Sequence, residues 1–119
     1  MSTAPAELRD RTKAFAIRIV KLYRSLPHTA DSQVVGKQLL RCGTSVAANY
    51  RAACRGRSRA EWIAEIGLVV EESDETVFWL EMLSDFDIVS ARRCEDILKE
   101  AHELNAIFTA ARHTARRVG

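Results

Sequence analysis

The chain has 119 residues, 47% of them hydrophobic and 29% charged, with a net charge of +2. That is enough for one domain whose core needs neither disulfides nor a metal. No apolar run approaches the roughly 18 residues of a membrane span, and Met1 to Pro5 lacks the charged and apolar regions of a signal peptide, so the expected location is the cytoplasm, with no membrane partner.

Helical periodicity recurs four times, and no strand-like alternation interrupts it. The first helix is expected over about 6–26. Leu8, Thr12, Phe15, Ile19, Leu22 and Leu26 recur at alternating steps of four and three, and Pro27 ends the run. The second is expected over about 32–55. It opens near Asp31 or Ser32, both good N-caps, and closes near Gly56, suited to a left-handed C-cap. Ser58-Arg59-Ala60-Glu61 is a capping-box pattern and starts the third helix, about 59–85. The fourth, about 91–116, lines up Cys94, Ile97, Ala101, Leu104, Phe108 and Ala111. Short connections make neighbouring helices antiparallel, so the expected fold is an all-α, up-down-up-down four-helix bundle in one domain spanning 1–119.

The third helix is apolar on more of its circumference than one core requires. Ile63, Ile66, Val70, Val77 and Leu80 form one stripe, and Leu68, Trp79, Met82 and Phe86 a second. A second stripe points to burial against another subunit, hence a homo-oligomer.

The second helix carries Gln38, Arg41, Ser45 and Asn49 along one face. A polar seam on an apolar helix needs partners, so it is either an internal network or a binding surface. If helices two and three form a hairpin turning near Arg57, Arg41 comes level with Ser73, within a turn of Glu72 and Glu75. A guanidinium suits a carboxylate in a two-bond fork. The expected structural network is therefore Gln38, Arg41, Ser45, Asn49, Glu72 and Glu75, locking helix two to helix three. The same register sets Ala47 against Gly67, where small residues would let the backbones approach.

The run Val35-Gly36-Lys37-Gln38-Leu39-Leu40-Arg41, with Ser45-Val46, Ala48-Asn49-Tyr50-Arg51 and Ser58, resembles the four-helix-bundle family of 23S rRNA intervening-sequence proteins. So do Glu72, Asp74-Glu75-Thr76, Trp79-Leu80-Glu81, Glu100-Ala101 and Glu103-Leu104. The family includes the accessory variability protein of diversity-generating retroelements. The resemblance implies a four-helix bundle, a ring-shaped homopentamer and, by likeness to that accessory protein, nucleic-acid binding. Ala52 stands where relatives often carry Glu.

Once folded, the bundle should gather Arg9, Arg11, Lys13, Arg51, Arg55, Arg57, Arg59, Arg112, Arg116 and Arg117 at one end, opposed by Glu7, Asp10, Glu61 and Glu65. The small net charge hides this polarity. A ring would multiply the basic end into a collar able to bind RNA or DNA through phosphates. Arginines at helix C-termini also suit the helix dipole, so a solvated surface remains an alternative, as does an acidic protein partner docked on a scaffold with no nucleic-acid role. Tyr50 is the one aromatic residue expected near this end, so little aromatic interleaving is expected and base stacking is not predicted.

Catalytic signatures are missing. Three residues before His28, His102 and His113 stand Ser25, Lys99 and Ala110, so the Glu-x-x-His motif of di-iron bundles is not there. Cys42, Cys54 and Cys94 are odd in number and have no CxxC spacing, which argues against a disulfide framework or a zinc site. No phosphate loop, HExxH or GxSxG occurs. The expectation is a non-enzymatic protein with no cofactor.

Overall fold

The computed structural model describes residues 4–117, which form four α-helices: α1 (Pro5–Arg24), α2 (Ala30–Ala53), α3 (Arg59–Asp85) and α4 (Ala91–Arg117). Among the described residues no strand occurs. The body measures 47 × 23 × 21 Å. It packs in chain order, α1 on α2, α2 on α3 and α3 on α4, while α1 meets α4 least.

Local chemistry sets the helix ends. Pro5 sits in the first turn of α1, where its missing N–H costs nothing. α1 stops at Arg24, earlier than Pro27 alone suggests. The Ser25 hydroxyl donates to the Leu22 carbonyl at 2.7 Å, and Leu26, preceding Pro27, is disfavoured from helical geometry. The N-cap of α2 is Thr29, not Asp31 or Ser32. Ser32 is buried inside the first turn, with its hydroxyl 2.7 Å from that of Thr29, while the Asp31 carboxylate accepts the Ser32 N–H at 2.9 Å. At α3, Ser58 Oγ accepts the Glu61 N–H at 3.1 Å, and Glu61 reaches back to the N–H of Arg57 at 2.6 Å.

Gly56 is not left-handed. The α2–α3 turn closes instead through bonds three residues apart, Arg55 N–H to Ala52 O and Gly56 N–H to Ala53 O, each 3.0 Å. The positive φ falls on Asp87, at 55°, where the chain leaves α3; an aspartate tolerates that region better than most L-residues. Beside it, the N–H groups of Ile88 and Val89 both donate to Leu83 O, at 2.9 and 3.1 Å.

The core runs the length of the bundle, from Phe15, Ile19 and Leu39 through Ile66 and Leu80 to Leu104 and Phe108, all essentially inaccessible. Each such side chain contributes about 1.5–3 kcal/mol through burial. Side chains of α1 and of the turn after it pack directly onto the α2 backbone at two glycines. A Cβ on Gly43 would come within 2.9 Å of Ile19, and one on Gly36 within 2.6 Å of Leu26. Gly67 on α3 was expected to serve this role against Ala47 of α2, yet a Cβ there would meet nothing within 4 Å. The space over the α2 glycines is filled by Ile19 of α1 and by Leu26, just beyond its end, rather than by a residue of α3.

Polar side chains inside the bundle are satisfied. Asn105 Nδ2 of α4 donates to Ser73 Oγ at 2.8 Å and to Val70 O at 3.4 Å, tying α4 to α3. Thr76 Oγ1 donates to Glu72 O at 2.7 Å. Burial raises the thiol pKa of Cys42 and of Cys94 above the ordinary value, so both favour the neutral form and pack as small apolar groups.

Candidate nucleic-acid interface

The polar seam of α2 lies on the outside of the α2–α3 pair. Arg41 bridges to Glu72 Oε2 at 3.4 Å, to Glu75 and to Gln38 Oε1 at 3.3 Å, with its side chain 50% exposed. Trp79 Nε1 donates to the same Glu75 at 3.1 Å. Ser45 and Asn49 are half-buried lower on the same face; among the described residues neither joins this network. The seam is therefore a surface clasp between two helices, and its charges keep much of their hydration.

That clasp sits within an apolar outer face of α3. Leu68, Phe78 and Phe86 are exposed, Trp79 and Met82 are half-buried, and Phe78 packs edge-on against Trp79 at 4.9 Å between ring centroids. Val34 on α2 and Ile17 on α1 are exposed as well.

The cations gather where α1 and α3 begin and α2 and α4 end. Arg51, Arg55, Arg57 and Arg59 surround the α2–α3 turn, Arg112, Arg116 and Arg117 close α4, and Arg9 and Lys13 stand on the first turns of α1. The Arg59 guanidinium donates to Ala115 O, which ties α3's start to α4's last turns and satisfies a terminal carbonyl. Arg51, Arg116 and Arg117 lie in the last turns of their helices, facing the negative dipole ends.

Arg11 does not belong to this set of free cations. It points along α1 toward α4 and is held by Glu100 and Glu103. That bonding lifts the Arg11 pKa and holds Glu100 below its ordinary value, chiefly through the Arg11–Glu100 hydrogen bonds. Among the described residues, the remaining cations of this end form no ion pair.

Arg9, Lys13, Arg51 and Arg55 converge on a groove of about 680 Å³ between α1 and α2, with Thr44 and Asp10 also on its wall. One carboxylate faces four cations there, so the groove carries a positive field that favours an anion.

Tyr50 is not available at this end. It is 2% exposed, packed 5.2 Å from Phe108 and 6.4 Å from Trp62 between ring centroids, and burial pushes its phenol pKa up. The accessible aromatic is Trp62, half-buried in the first turns of α3. The sequence pointed to Tyr50 instead; the position of Trp62 four residues after the Ser58 cap is the signal that could have placed it beside the turn.

The description of the 23S rRNA-intervening sequence protein family matches residues 6–110. The chain belongs to that family. A crystal structure of a protein of unknown function from the S23 ribosomal protein family of Bacteroides thetaiotaomicron is similar to this 23S rRNA-intervening sequence family member at 33% identity. The match has a TM-score of 0.85 and covers 92% of this chain and 97% of that one. No curated protein matches the chain. Among the described residues, no helix is long and apolar enough to cross a membrane.

Proposed function

We propose that this protein is a cytoplasmic, non-enzymatic, up-down-up-down bundle that assembles into a ring-like homo-oligomer and binds RNA or DNA electrostatically through its arginine-rich end. The observation that carries the reading is the groove of Arg9, Lys13, Arg51 and Arg55, whose cations have no ion-pair partner among the described residues. Arginines placed only to serve helix dipoles would sit in the last turns of helices; Arg9 and Lys13 stand in the N-terminal half of α1, where the dipole offers a cation no stabilisation. Their placement suits polyanion binding, in which each neutralised phosphate releases counterions.

The apolar outer face of α3 supports the oligomer, since a patch containing Leu68, Phe78 and Phe86 is costly to leave in water. A ring would present the basic groove once per subunit. Arg57, Arg59, Arg112, Arg116 and Arg117 would then complete a collar around the groove.

Mobility-shift titration with RNA and DNA tests the reading. The double variant Arg51→Glu/Arg55→Glu is expected to lose binding with unchanged helicity. Arg92→Glu, at the other end of the bundle, is expected to retain it. Retained binding by the double variant would refute the assignment of this groove.

A further inference from the structure

A second groove, of about 800 Å³, opens at the same end, lined by the starts of α1 and α3 and the last turns of α4. Pro5 and Leu8 form one wall and Ile107 and Ala111 the other, with Trp62 between them and the Tyr50 and Phe108 rings beneath. Ala106, Ala110 and Ala115 keep the α4 wall shallow. Besides the buried Tyr50 phenol and the Trp62 indole N–H, the polar groups on its lining are the Thr114 hydroxyl and the Arg59 guanidinium, one of whose N–H groups is engaged by Ala115 O. The start of α1 separates the two grooves: Leu8 faces this one, and Arg9 and Lys13 face the cationic one.

We propose that this groove receives an unpaired nucleobase, so that the basic end prefers single strands to duplex. The inference rests on the nucleic-acid reading above. Charge complementarity selects this occupant, because an apolar slot bordered by Arg59 and flanked by the cations of the neighbouring groove suits a flat aromatic group that travels with phosphates. Trp62 offers an indole surface for stacking, a sequence-tolerant interaction. Arg59 and Thr114 can donate to the base edge. Bases inside a duplex are stacked and paired, and would have to be extruded at a cost of a few kcal/mol before entering.

The test uses the intact protein carrying Trp79→Phe, which leaves Trp62 as its one indole. Two probes are titrated: a dT oligonucleotide and an abasic oligonucleotide of equal length, identical in phosphate charge. The dT oligomer is expected to quench Trp62 emission and to bind at least about fivefold more tightly than the abasic one. Ala111→Phe, which fills the groove while keeping the Trp62 indole in the chain, is expected to erase that difference, and Trp62→Leu is expected to do the same. Equal affinity for the two probes overturns the base site, and if Arg51→Glu/Arg55→Glu still abolishes that binding, the phosphate reading survives alone. Absence of binding by either probe at low salt overturns both.

Discussion

Arg11 on α1 holds Glu100 on α4 in a two-bond fork, Nε to Oε2 at 2.8 Å and Nη2 to Oε1 at 2.5 Å, and reaches Glu103 at 3.0 Å. The pair spans the seam where the bundle is least packed. Arg18 to Asp96 at 2.8 Å, and Arg93 to Ser25, extend the same seam, with partners descending α4 as they climb α1. Polar clasps thus stand in for apolar packing between these two helices.

Arg11→Ala should therefore destabilise the fold by about 1.5–3 kcal/mol, the range for a hydrogen bond to a charged group. The effect should depend on pH. Glu100 is held below its ordinary value of about 4.5, so its contribution is present above that pH and is lost as pH falls through the depressed folded value. Urea midpoints for the wild type and the variant are expected to differ at pH 7 and to converge toward pH 3. A constant difference across that range would place the stabilisation elsewhere.

The glycines of α2 and α3 should respond in opposite directions. Replacing glycine by alanine inside a helix gains about 0.5–1 kcal/mol when space allows. Gly67→Ala has that space. Gly43→Ala meets Ile19, a stiff β-branched side chain with no exposure, at 2.9 Å, and overpacking costs about 1–3 kcal/mol. Thermal unfolding should show Gly67→Ala melting above the wild type and Gly43→Ala below it.

These glycines mark how far the sequence could be read. Periodicity fixed the four helices, and the short α2–α3 connection fixed their register, which is why Arg41 meets Glu72 and Glu75. Periodicity does not say how far a helix is rotated about its axis. Rotation decides that Arg41 lies outside, that Gly67 faces open space, and that Gly43 carries the close contact. It also buries Tyr50 and leaves Trp62 accessible. Arg11 looked like the other cations of its turn because the facing carboxylates lie 89 and 92 residues away in the chain. The turn between α3 and α4 was legible, but its left-handed residue was not, because the positive φ falls on Asp87, a residue type that only sometimes adopts one.

Assembly should show in mass. Light scattering is expected to give several times the 13.4 kDa of one chain. Leu68→Glu/Phe78→Glu places two charges on the outer face of α3 and should yield a folded monomer. Because binding to a long polyanion gains from repeated sites, that monomer should also bind RNA more weakly than the wild type. A wild type of monomer mass would refute the oligomer.

The most direct test of the basic end is the salt dependence of its affinity for a single-stranded oligonucleotide. If Arg9, Lys13, Arg51 and Arg55 each meet a phosphate, log K should fall with log salt at a slope of about −3 per engaged groove. Arg51→Ala/Arg55→Ala should reduce that slope by about half. Affinity that does not change with salt, or a slope untouched by the double substitution, would contradict the account.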